Sequence, residues 1–110
     1  LKLSQKDIFI NVTGGIKIND PAIDLAIICA VLSSNFDFPI PQKTCFIGEV
    51  GLSGEIRPVS RINERIKEVV KMGAEYIFVS KYAKLNKAEN GKYQIKKVVK
   101  VKEIIQQLIK

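Results

Sequence analysis

The chain contains no histidine, which limits what its nucleophiles could do. A Ser-His-Asp triad, a Cys-His pair and a His-ligated zinc are all excluded. A serine nucleophile would need a lysine as its base. Ser80-Lys81 places the two types side by side, but neighbours in a strand point to opposite faces. Ser53 lies in Gly51-Leu52-Ser53-Gly54-Glu55, which lacks the second glycine of a nucleophile elbow. Ser33 and Ser34 close an apolar run, where helix-end roles suit them. Asp20 and Asp24 are four apart and could share a helical face as an acid/base or metal pair. Capping and the helix dipole explain both more simply. Cys29 and Cys45 are too few for a zinc site or a disulfide framework, and both sit in apolar runs. Buried thiols in a reduced, cytoplasmic chain are expected. Gly14-Gly15 belongs to neither a G-x-G-x-x-G nor a Walker pattern, so it reads as a turn and no ATP site is expected.

The 110 residues amount to one domain, expected to span 1–110, with 46% apolar and 26% charged residues. That balance excludes disordered and collagen-like classes. No apolar run reaches membrane-spanning length, and no signal-peptide core is present. The chain begins with Leu1 rather than Met, so a fragment of something longer is expected. The formal charge is +7 and unevenly spread. Residues 1–56 carry 4 basic and 6 acidic side chains, whereas residues 57–110 carry 14 and 5. The second half is a plausible footprint for phosphates, though a solvated lysine-rich surface explains the composition equally well.

The elements that would position these residues follow from the pattern. Asp7–Val12 alternates and is β-rich, Gly14-Gly15 breaks it, and Ile16–Ile18 continues it as a short strand. Asp20 and Pro21 start a helix that runs to about Ser34 and is apolar on nearly all sides, as a buried helix is. Pro39 and Pro41 mark a loop. Thr44–Val50 and Glu55–Arg57 form a hairpin around Gly51–Gly54. Ser60 caps a helix ending near Gly73, with Ile62, Ile66, Val69 and Val70 on one stripe. Glu75–Ser80 and Tyr93–Val99 are strands, and Asn90-Gly91 is a turn between them. Val101–Ile109 is a last helix. The interleaving predicts an α/β or α+β domain with one mixed sheet and about three helices.

Two stretches carry a resemblance. Asn11-Val12-Thr13-Gly14-Gly15, with Pro21-Ala22 and Asp24-Leu25-Ala26 beyond it, resembles an "NVxGGxxxxxPAxDLA" stretch of the bacterial RadA/Sms family. Gly48-Glu49-Val50-Gly51-Leu52-Ser53-Gly54-Glu55-Ile56-Arg57-Pro58-Val59 resembles the same family's "GEVGLSGEIRPV" signature, which is long and specific. The resemblance extends through Tyr76–Lys81 and covers most of the chain.

The resemblance implies a DNA repair and recombination factor, of which this chain would be the C-terminal Lon-protease-like domain. The implied fold is that of the Lon proteolytic domain, similar to domain 2 of ribosomal protein S5. A zinc finger and a RecA-like ATPase would precede it in the parent. ATP, Mg and Zn would belong to those domains, and no cofactor or metal is expected here. The dyad of active Lon does not carry over. Its Gly-Pro-Ser-Ala-Gly matches Asp20-Pro21-Ala22-Ile23-Asp24, so Ala22 stands at the nucleophile position. Its Pro-x-Gly-Gly-x-Lys-Glu matches Pro58–Glu64, so Asn63 stands at the lysine position. No peptidase activity is expected, although a residual or unconventional Ser-Lys peptidase is an alternative. The family also implies a hexameric ring beside an ATP-dependent branch-migration motor, with recombination proteins as further partners. Lys17, Arg57, Arg61, Arg65 and Lys81 are the expected contacts to the DNA backbone. A purely structural protein-protein module, with the charge incidental, is the remaining alternative.

Overall fold

The computed structural model describes residues 20–86 and 92–109. The strands expected over 7–12 and 16–18, the Gly14-Gly15 turn, the Asn90-Gly91 turn and Lys17 lie outside the described residues.

Asp20 opens the first helical segment as the sequence predicts. Its carboxylate accepts the Ala22 N–H at 3.0 Å, and Pro21 begins a single 3₁₀ turn, Pro21–Ile23. Helix α1, Asp24–Phe36, continues from it. Leu25, Ala26, Cys29 and Ala30 are buried along one side. The helix is not covered all round by the described residues, because Ile27 on the opposite side stays 38% exposed. Asp37 ends it in a left-handed conformation at φ 56°.

The run read as one strand over 44–50 is two. Strand β1, Thr44–Ile47, is buried throughout, and β2, Glu49–Val50, turns away from it. Gly48 makes the break. Its N–H donates to the Ala22 carbonyl and its carbonyl accepts the Leu25 N–H, so the chain is pulled onto the start of α1. A Cβ at Gly48 would lie 2.9 Å from Ile56 Cγ2 and 3.4 Å from Leu25 Cδ2, which explains the glycine at this close approach. β2 then pairs antiparallel with β3, Ile56–Arg57, and the predicted hairpin forms.

Helix α2, Ile62–Lys71, begins two residues after Ser60. Arg61 occupies the capping position with φ 57°, and its side chain makes no capping bond. The left-handed turn at Arg61 moves the Ser60 hydroxyl out of register with the free N–H groups, so Ser60 is not the cap. The other end is as expected. Gly73, at φ 106°, sends its N–H to the Val70 carbonyl, and Ala74 bonds the Val69 carbonyl. That pair of bonds is a Schellman motif.

Strands β4, Tyr76–Ser80, and β5, Gln94–Val98, join β1 in a parallel sheet of order β1-β4-β5. Helix α3, Val101–Ile109, closes the chain. In the pleat, Cys45, Ile77 and Ile95 share one face, and Phe46, Phe78 and Lys96 share the other. α2 stands over the first face, where Ile66 and Val70 line a groove with Ile95 opposite them. α3 stands over the second, where Leu108 packs against the core and lines a pocket with Phe78. Phe46 and Phe78 stack there, with centroids 5.3 Å apart. The sheet is therefore covered on both faces, the arrangement parallel strands require. The hairpin is joined to this body by the Ile56 N–H to Val99 bond and the Val101 N–H to Gly54 bond. No helix among the described residues is long and apolar enough to cross a membrane.

Candidate functional site

Ala22 sits in the 3₁₀ turn, only 3% exposed, with its N–H on Asp20 and its carbonyl on Gly48. Asn63 lies in the first turn of α2. Its Nδ2 donates to the Lys84 carbonyl at 3.0 Å, and its Oδ1 accepts the Asn86 N–H at 2.7 Å. Both halves of the amide therefore hold the loop after β4. Arg65, two positions on, points elsewhere. Its Nη1 donates to Asp20 Oδ2 at 2.9 Å and its Nε to the Ser60 carbonyl at 2.8 Å. Two residues of helix turn a side chain through about 200°. The α2 side chain that meets the segment carrying Ala22 is thus Arg65, while Asn63 turns to residues 84–86.

No serine hydroxyl among the described residues is hydrogen-bonded to a lysine. The Ser80 hydroxyl is buried and accepts the Tyr82 N–H, whereas Lys81 is exposed. Ser53 is exposed at the hairpin turn, and its N–H donates to Glu55.

The basic residues divide by type. The chain has three arginines, and each holds a carboxylate. Arg57 pairs with Glu55 at 2.8 Å, Arg61 with Glu64 at 3.4 Å and Arg65 with Asp20 at 2.9 Å. The first two pairs are exposed to water, where such pairs hold weakly and phosphates could compete for the arginines. The third is about one-fifth exposed on each side. Burial pushes the Asp20 carboxyl up, but the Ala22 N–H and the Arg65 guanidinium outweigh it and hold it below its ordinary value. At the hairpin, the Glu55 backbone N–H and the Arg57 guanidinium lower the Glu55 carboxyl, and Glu55 in turn raises Arg57. Lys81 follows the end of β4 and has no carboxylate partner among the described residues. Arg57, Arg61, Arg65 and Lys81 therefore do not form one free cationic cluster. Arg65 is committed to holding two segments together.

Three cations not singled out from the sequence stand together instead. Lys67, Lys71 and Lys97 rim a groove of about 630 Å³ between α2 and β5. The four-residue spacing of Lys67 and Lys71 was a readable signal. The partner strand that faces them was not.

A family model described as subunit ChlI of Mg-chelatase matches residues 1–83. The chain is 48% identical over 79 residues to DNA repair protein RadA of Bacillus subtilis (strain 168), which covers 72% of this chain and 17% of that protein. It is 42% identical over 101 residues to DNA repair protein RadA of Listeria monocytogenes, covering 92% of this chain and 21% of that protein. With DNA repair protein RadA of Streptococcus pneumoniae the identity is 38% over 108 residues, 98% of this chain and 26% of that protein. The chain thus spans a quarter or less of most of these relatives, 26% at most. With three quarters of its residues matched by that family model, on a parallel α/β body that keeps the hairpin motif intact, the chain belongs to the ChlI family.

Proposed function

We propose that this chain is the non-proteolytic, Lon-like domain of a cytoplasmic RadA-type DNA repair protein, adding DNA backbone contact and ring assembly to an ATP-driven parent. The observation that carries this reading is the state of the former dyad positions. Ala22 has no hydroxyl, and the Asn63 amide is occupied on both sides by the loop at 84–86. No peptide-cleaving pair stands at those positions, while Arg57, Arg61 and Lys81 are exposed. The names of the relatives supply the repair role. ATP, Mg and Zn belong to parent domains outside this chain, and recombination proteins are the further partners.

Within this reading, Arg57, Arg61 and Lys81 contact phosphates, and Lys17 joins them from the first segment. Arg65 contributes by tying the start of α1 to α2 through Asp20. The test is fluorescence anisotropy of labelled duplex DNA against the chain from ~50 to ~200 mM salt. Affinity is expected to fall steeply with salt, and each effective Lys or Arg to Ala change to flatten the slope by ~1. Sequence preference is not expected, because phosphate contacts carry no base information. Absence of binding at low salt, both for the chain and for its assembled ring, would leave a structural protein-protein module instead.

A further inference from the structure

Helix α2 carries two parallel rows on the flank that faces β5. Ile66 and Val70 form the inner row, buried and half-buried, and Lys67 and Lys71 form the outer row, both exposed. Each row repeats at four residues, so its members stand one above the other on the helix. Across the gap, Ile95 and Lys97 share one face of β5 by strand alternation, and Tyr93, just before the strand, lines the same side. Tyr93 and Ile95 are half-buried and Lys97 is exposed. The result is an apolar floor with ammonium groups on both rims. Among the described residues no acidic side chain lines the groove, and Lys67, Lys71 and Lys97 have no carboxylate partner. The nearby acids of α2, Glu64 and Glu68, are not part of the lining, and Glu64 is held by Arg61.

We propose that this groove docks an acidic peptide segment of a partner protein. Its Asp or Glu side chains would meet Lys67, Lys71 and Lys97, and its aliphatic or aromatic side chains would cover the floor.

Charge complementarity alone would also admit a nucleic-acid backbone. The floor decides between them. A sugar-phosphate chain is hydrated and gains little from half-buried isoleucine and valine. A peptide that alternates acidic and apolar side chains removes that floor from water while its carboxylates meet the rim. The rim then supplies encounter rate and orientation, and the floor supplies affinity. β5 is also an edge of the described sheet. An extended segment laid along it could pair with the open backbone groups, and every second side chain would face the floor. This inference does not depend on the DNA contact proposed above, which uses other residues.

The test is selection of a random-peptide phage library on the immobilised whole chain. The selected peptides are then measured as fluorescein conjugates by anisotropy at about 0.15 M salt. Selected sequences are expected to combine Asp or Glu with Leu, Ile or Phe. Lys67→Glu and Lys97→Glu should each weaken binding about tenfold, and Tyr93→Ser should weaken it without changing the salt dependence. The lysine variants are exposed, so their melting curves should stay unchanged and binding loss cannot be ascribed to unfolding. The proposal is overturned if no acidic-apolar consensus emerges, or if selected peptides tolerate both lysine reversals. It is equally overturned if a poly-Glu peptide binds as well as the selected ones. Loss of a labelled oligonucleotide with Lys67→Glu and Lys97→Glu, while peptide binding persists, would make the groove a nucleic-acid surface and sink the peptide reading.

Discussion

Arg65 Nη1 lies 2.9 Å from Asp20 Oδ2, and this contact ties the entry of α1 to the first half of α2. Asp20 serves two purposes at once. One oxygen caps the 3₁₀ turn through the Ala22 N–H, and the guanidinium of Arg65 bonds both oxygens. The same arginine also satisfies the Ser60 carbonyl. A single side-chain pair therefore fixes the relative position of the segments that carry Ala22 and Asn63.

Asp20→Asn is expected to destabilise the chain by about 1–2 kcal/mol, through a weaker cap and a partly buried guanidinium left without its charge partner. The native Asp20 carboxyl titrates below its unfolded value. Its stabilising contribution is therefore complete above the unfolded value near pH 4 and is lost as pH falls through the native one. Urea midpoints measured from neutral pH down to about pH 3 should fall more shallowly in Asp20→Asn than in the parent. Parallel pH profiles for the two would contradict this role.

Asn63→Ala removes both bonds to the loop at 84–86. The loss is expected to be about 0.5–1.5 kcal/mol per bond, toward the low end because the site is partly exposed. The local signature is more telling than the total. Hydrogen exchange at the Asn86 amide, which now donates to Asn63 Oδ1, should accelerate while amides of β4 stay protected.

Gly51→Ala should disturb the hairpin turn. A Cβ there would overlap the Glu55 carboxylate, which must then leave its place under the turn. That carboxylate accepts from the Ser53 N–H at 3.0 Å and from Arg57 at 2.8 Å. A cost of about 1 kcal/mol in the melting transition is expected. By contrast, Leu52→Ser at the fully exposed tip should change stability by less than about 0.5 kcal/mol.

Burial pushes the Cys45 thiol up to about 11, with the residue only 2% exposed in β1. At pH 8 the native chain should therefore react slowly with a chromogenic disulfide reagent at this position, and readily once denaturant is added. Rapid modification of Cys45 under native conditions would show that β1 is not the buried strand described here.

Much of the framework was legible in the sequence because it depends on local chemistry. Asp20 before Pro21 marked the start of one helix, Gly73 the left-handed end of the next, and the Gly51–Gly54 turn a hairpin. Each signal acts within a few residues, where backbone sterics and free N–H groups decide the outcome. The absence of histidine, and of a hydroxyl at Ala22 and an amine at Asn63, was likewise fixed by residue type alone.

What distant segments do to one another was decided only by the tertiary structure. The break at Gly48 arises because α1 offers the Ala22 carbonyl and the Leu25 N–H there, partners invisible in the Thr44–Val50 run. Ser60 loses its capping role to a left-handed turn at Arg61. Arg65 reads in sequence as an exposed cation beside Arg61, yet the fold brings it to Asp20, 45 positions away. Lys67 and Lys71 were visible as a pair, but Lys97 joins them only because the fold sets β5 across a groove from α2. Charge type is written in the sequence, whereas which charges are spent on internal partners depends on long-range contact.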